Sequence, residues 1–345
     1  MISYRSAFVV VMLPVVLSAC GQSSRPLPKA EPKLKIGLLM DTMAKEERWQ
    51  RDRDLFLERA QQLGAEVLVE AAERDDARQL QQAESLLARG VQALVVVPHS
   101  SEAAAQIVEA AKKRSVPVIS YDRLILKADI DMYLSYDNRD VGEQQAQFLR
   151  NRAPKGNYIL LGGAPTDHNA KLIREGQMAA LEDAVKSGDI KIVADPWVPD
   201  WQADAAMQLT DAALTKARNQ VVAVVASNDV TAGGAIKALE KHGLAGKVLV
   251  SGQDANVDAV RRLASGTQIM TVYKPLKPLA RAAASTAVQM AKGEKVEGTS
   301  TVDNGMKQVQ AILFSPTTIH KDLIPILFND RFLTPAQVNA TAGNK

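Results

Sequence analysis

Asp, Asn, Arg, Lys and Trp gather in this chain just beyond the ends of short apolar runs. Asp41 and then Glu47-Arg48-Trp49 follow the run at 35–40, Tyr121-Asp122-Arg123 follows 117–120, and Gly162-Gly163 with Asp167-His168-Asn169 follows 158–161. Trp197 and Trp201 come after 191–194, Ser227-Asn228-Asp229 after 221–226, Gly252-Gln253-Asp254 after 248–251 and Lys274-Pro275 after 269–273. Carboxylates, amides and guanidinium groups are planar, and each can meet two neighbouring hydroxyls with two hydrogen bonds. Indole rings offer flat apolar surface to the C–H faces of a pyranose. Aromatic residues make up only 4% of the chain, yet Trp49 and Trp201 both fall in these positions. The charges cancel, with Arg48, Arg123 and Lys274 set against Asp122, Asp167 and Asp254. Such a set suits a small neutral sugar, and a zwitterionic amino acid is also compatible.

Plainer roles compete for some of these positions. Strand-end Asp and Asn often cap the next helix, and Asp229 is expected to do only that ahead of a helix at 232–242. Gly162-Gly163 can be turn glycines, and Trp197 is assigned to packing. Enzyme chemistry finds no support: there is no GxGxxG, phosphate-binding loop, GxSxG elbow or HExxH. The four histidines, His99, His168, His242 and His320, are scattered. A binding protein without catalysis, cofactor or metal is expected.

The elements that must position these residues alternate regularly. Runs at 35–40, 66–70, 93–97 and 117–120 read as strands, separated by helical patterns at 47–63, 78–89 and 102–114. The rhythm restarts with strands at 158–161, 191–194, 221–226 and 248–251 and helices near 171–186, 202–216, 232–242 and 257–264. A strand at 269–273, a helix at 276–291 and a short extended piece at 299–303 follow. Runs such as Ala93-Leu94-Val95-Val96-Val97 lack alternation, as strands buried on both faces of a parallel sheet do. The fold class expected is α/β, with two doubly wound parallel-sheet lobes. In such sheets ligands bind beyond the carboxyl ends of the strands, which is where the polar residues lie.

The N-terminus carries separate information. Arg5 precedes an apolar run at 7–19 that ends in Leu17-Ser18-Ala19-Cys20-Gly21, resembling a bacterial lipobox. Cys20 is the only cysteine, which fits lipidation. Residues 1–20 thus read as a lipoprotein signal peptide and 21–33, rich in Ser, Pro and Lys, as a flexible tether. No later stretch is long and apolar enough to span a bilayer. Forty-two Lys and Arg against thirty-nine Asp and Glu give a net charge of +3, no footprint for nucleic acid. One lobe is expected from 34–138 plus roughly 276–298, the other from 139–275 plus roughly 299–332, with a tail at 333–345.

Taken in order, these motifs make the chain resemble the bacterial D-xylose-binding proteins, a branch of the periplasmic pentose/hexose-binding family. The resemblance runs from about Leu34 to Asp330. It rests on Glu46-Glu47-Arg48-Trp49-Gln50, Tyr121-Asp122-Arg123, Gly162-Gly163 with Asp167 and Asn169-Ala170-Lys171, Ala226-Ser227-Asn228-Asp229, Ser251-Gly252-Gln253-Asp254 and Thr271-Val272-Tyr273-Lys274-Pro275. One departure is His168, where related proteins often have Asn. The resemblance implies a type I two-lobe fold joined by a three-segment hinge. It implies that Arg48, Asp122, Arg123, Asp167, Asn169, Asn228, Asp254 and Lys274 hydrogen-bond a sugar and that Trp49 and Trp201 sandwich its ring. The partners implied are D-xylose or a related aldose and the membrane subunits of an ABC permease, with anchoring through Cys20 and a monomeric chain. An alternative listener is a membrane histidine kinase or chemoreceptor. The sensing core of a transcription regulator shares this architecture, but it would need a helix-turn-helix where this chain has its signal and tether.

Overall fold

The computed structural model describes residues 33–43 and 47–339, together with 1, 2, 7 and 9. Cys20, residues 21–32 of the expected tether at 21–33 and the end of the tail at 340–345 lie outside the described residues.

The first half runs β1 (Lys35–Met40), α1 (Glu47–Gln62), β2 (Glu66–Ala71), α2 (Asp76–Ala88), β3 (Ala93–Val96), α3 (Ala105–Lys112), β4 (Val118–Tyr121) and β5 (Met132–Tyr136). The second half continues with α4 (Asn138–Arg150), β6 (Gly156–Leu161), α5 (His168–Lys186), β7 (Ile190–Ala194), α6 (Ala203–Lys216), β8 (Ala223–Ala226), α7 (Asp229–Lys241), β9 (Leu249–Val250), α8 (Val257–Ser265) and β10 (Thr271–Tyr273). The chain then returns with α9 (Leu276–Ala291), β11 (Ser300–Asp303) and β12 (Gln308–Phe314), and ends in β13 (Thr317–Ile319), α10 (Ile324–Asn329) and α11 (Pro335–Asn339).

One sheet has the order β2-β1-β3-β4-β5-β12-β11, parallel except where β11 meets β12. The other has β7-β6-β8-β9, all parallel, and a bridge from Gln253 to Val272 carries it on to the antiparallel pair β10-β13. Helices cover both faces of each sheet's centre, which is why inner strands such as β3 and β8 are apolar and buried throughout. Along β1, Ile36, Leu38 and Met40 pack under α1 and α9 while Leu39 packs under α2 and α3.

The expectation that all of 299–332 joins the second lobe needs correcting. Ala311 through Phe314 pair with Tyr133 through Tyr136 of β5, so β11 and β12 complete the first sheet. Their side chains explain it, since Val309 and Ala311 are buried in the first half's core. Only from β13 onward does the chain return to the second half. The sequence pattern also leaves β5, α4, β12, β13, α10 and α11 unmarked.

Among the described residues the chain passes between the halves at 136–138, 273–276 and 314–317. These crossings touch one another. The Tyr136 hydroxyl donates to the Pro275 carbonyl, the Tyr136 and Phe314 rings lie 5.7 Å apart, and the Asp137 amide donates to the Phe314 carbonyl at 3.0 Å.

Candidate functional site

The carboxyl ends of both sets of strands face one cleft, in which the polar side chains of the two halves meet and leave only about 30 Å³ open. All ten residues singled out in the sequence, Arg48, Trp49, Asp122, Arg123, Asp167, Asn169, Trp201, Asn228, Asp254 and Lys274, line it. Asn138, Ile173 and Gln253 line it too and are not among the expected residues. Asn138 opens α4, an element the pattern did not mark, and Ile173 keeps the apolar period of a core helix. Gln253 stands between Gly252 and Asp254 in a quoted motif; its place at a strand end was the signal available.

From the first half, α1 brings Arg48 and Trp49, and the turn after β4 brings Asp122 and Arg123. Asp122 sits at φ 62, a left-handed conformation unusual outside glycine. The turn is held because the Asp122 carbonyl accepts from Ser135 Oγ at 2.6 Å, Tyr133 Oη at 3.1 Å and Asn169 Nδ2 at 3.0 Å. From the second half, Asp167 caps α5 by accepting the Asn169 amide at 2.9 Å, and Asn228 caps α7 in a reciprocal box with Thr231. Asp254, at φ 97, and Lys274 follow β9 and β10.

Asp229 departs from expectation. Asn228 is the cap; Asp229 is the first helical residue, buried beneath the cleft. Its carboxylate accepts from Thr271 Oγ1 at 2.9 Å, Gln268 Nε2 at 2.8 Å and the Asn256 amide at 3.0 Å, tying α7 to the strand that delivers Lys274. The glycine pair also has a more specific role than turning the chain. A Cβ on Gly162 would stand 2.8 Å from Trp197 and one on Gly163 would stand 2.0 Å from Trp201, so each glycine makes room for an indole.

Charged groups meet across the cleft. Arg48 pairs with Asp122 on its own half and with Asp254 of the other at 3.4 Å, where Lys274 also reaches Asp254 at 3.4 Å. Arg123 Nε contacts Asp167 of the other half at 2.9 Å, and its Nη1 donates to Asp41 at 2.8 Å and to the Pro98 carbonyl at 3.1 Å. Trp201 Nε1 also donates to Asp167, at 3.3 Å. Arg48 and Arg123 lie 4.5 and 5.5 Å from the Trp49 ring, which is only 1% exposed.

These pairings govern the ionisation. Burial disfavours charge on Arg48, but Asp122, Asp254 and Asp52 outweigh it and hold its proton well above the ordinary range. Burial also works against the Asp122 carboxylate, yet Arg48 and then Lys274 keep it below the usual value. For Asp167 burial wins over Arg123 and its pKa is raised. Burial likewise pushes Asp52, which accepts from the Tyr121 hydroxyl behind Arg48, up to about 6. His168 starts α5 with its amide donating to Ser101 Oγ at 3.1 Å and is not a lining residue of the cleft. Three cations and three carboxylates among the lining residues leave the cleft with no net charge. The described residues contain no cluster suited to a metal ion.

A model of a periplasmic binding protein domain matches residues 36–295. The D-xylose-binding periplasmic protein of Haemophilus influenzae is 48% identical over 84% of this chain and 86% of its own length. That of Escherichia coli K12 is 46% identical over 85% and 88%. A solved carbohydrate transporter solute-binding protein from Chloroflexus aurantiacus, in complex with D-glucose, superposes with a TM-score of 0.83 at 30% identity, covering 89% of this chain and 98% of that one. With the two-sheet architecture, the three crossings and matches of this extent, the chain belongs to the periplasmic binding protein family, in its type I fold.

Proposed function

We propose that this chain is a solute-binding protein that encloses D-xylose, or a closely related aldose, in the cleft and delivers it to an ABC sugar permease. The observation that carries the reading is the charge-balanced polar set supplied jointly by both halves, in which Arg48 meets Asp254 and Arg123 meets Asp167. Planar carboxylate, amide and guanidinium groups at this density match vicinal hydroxyls, and Trp49 and Trp201 offer flat apolar surface to the ring. That two relatives at 46% and 48% identity are D-xylose-binding periplasmic proteins supports a pentose as the ligand. Because each half holds part of the set, a ligand that satisfies both stabilises the closed arrangement by its differential affinity, which gives a permease a shape to recognise. The chain acts by binding, not catalysis.

Titration of the purified chain with D-xylose, D-glucose, L-arabinose and D-ribose, followed by calorimetry and Trp fluorescence, tests this. D-xylose is expected to bind tightest; silence toward all four would sink the proposal. Periplasmic anchoring through Cys20 is part of the same reading, supported by the Leu17-Ser18-Ala19-Cys20 motif. Cys20→Ser is expected to move the protein from the membrane to the soluble fraction on cell fractionation.

A further inference from the structure

Most polar atoms of the cleft are already engaged with one another, but two buried acceptors are not. Asn138 and Gln253 both line it, are 3% and 4% exposed, and present Oδ1 and Oε1 with no hydrogen-bond partner among the described residues. The orientation of the Asn138 amide is determined by its neighbours. Ser135 Oγ donates to the Asp122 carbonyl at 2.6 Å, so it is free to accept, and Asn138 Nδ2 donates to it at 3.4 Å. The carbonyl end of the amide is therefore the unengaged one. Buried acceptors are nearly always paired, and leaving one unpaired forfeits its hydration without return.

Both residues stand at the hinge side of the cleft. Asn138 ends the first crossing, and Gln253 bridges to Val272, two residues before Lys274. The carboxylates nearby already accept from Arg48 and Lys274, whereas these two amide oxygens are unengaged and can take only a donor. We infer that Asn138 and Gln253 are specificity-determining residues that read hydroxyl donors on the hinge-facing edge of the sugar, and that a ligand lacking either hydroxyl, or carrying a methyl ether there, is rejected. This rests on the reading of the cleft as an aldose site. The rejection follows from geometry, since the deoxy ligand would leave the acceptor buried and unpaired, a form of discrimination stronger than a missing apolar contact supplies.

The test is calorimetry of the full chain and of Asn138→Leu and Gln253→Met, near-isosteric and apolar, with D-xylose and its monodeoxy and mono-O-methyl derivatives. The wild type should lose at least tenfold in affinity on removal of each hydroxyl concerned. Each variant should bind D-xylose at least tenfold more weakly and should cease to discriminate at one position, a different one for each. Variants that keep wild-type affinity and wild-type discrimination at every position overturn the inference while leaving sugar binding intact. Should either variant not fold, the wild-type scan decides: tolerance of every single deoxygenation overturns it. A wild type indifferent to D-xylose removes the underlying reading and this one with it.

Discussion

Gly163 lies against the Trp201 indole so closely that a Cβ on it would stand 2.0 Å from Cη2. No real side chain tolerates that approach, so the ring position and the absent side chain are one feature. Gly163→Ala should push the indole off the cleft wall and weaken sugar binding at least tenfold, about 1.4 kcal/mol. Calorimetry reads the affinity, and a shifted Trp emission maximum reports the displaced ring.

Asp254 is the meeting point of Arg48 from one half and Lys274 from its own. Truncating it takes from buried Lys274 the carboxylate it contacts and from Arg48 one of three. Asp254→Ala and, separately, Trp201→Ala should each lower D-xylose affinity by about 2 kcal/mol or more, as interface anchors do. Binding at wild-type strength in both variants would contradict the site assignment.

Asp229 predicts a pH effect on stability. Burial, partly offset by Arg262 and reinforced by Asp254, pushes its carboxyl from 3.8 up to about 7. Between those values the folded chain holds a proton that the unfolded chain has released. Its contribution to stability therefore falls as pH rises from about 4 to 7 and levels off above. Asp229→Asn does not titrate, so urea unfolding should show its stability gaining on the wild type from pH 5 to 8. A constant difference across that range would refute the assignment.

The α4 and α5 helices pack backbone to backbone. A Cβ on Gly142 would fall 1.9 Å from the Ile173 carbonyl oxygen, and one on Gly176 would fall 2.0 Å from that of Arg139. Gly142→Ala should force the helices apart and cost about 2 kcal/mol or more in thermal or chemical unfolding. Since α5 also carries Asn169, sugar affinity should fall with it.

Much of the cleft was legible because the strands of a doubly wound sheet announce themselves as apolar runs and the residues after them must face the ligand edge. Arg48, Asp122, Asp167, Asn228, Asp254 and Lys274 all stand in strand-end or helix-start segments that this rule marks, and the family resemblance singles them out among their neighbours there. Asn138 escaped it because β5 is short and mixes Ser135 with its apolar residues, and because the inward face of α4 is itself partly polar, with Asn138 and Gln145 buried beside Val141, Ala146 and Leu149. The placement of β12 was not legible either. Its alternating buried and exposed residues suit an edge of either half, and only the pairing with β5 decides. The partnership of Gly163 with Trp201 joins residues distant in sequence, which no local pattern reveals.

The last stretch of chain gives β12 to one sheet and β13 to the other, after α9 has already gone back to cover the first. Neither half can therefore be finished by an N-terminal fragment during synthesis. Both cores wait for strands that leave the ribosome within a few residues of each other, after α9. The two halves should consequently acquire their final cooperativity together, and a chain shortened before β12 should lose both instead of retaining one.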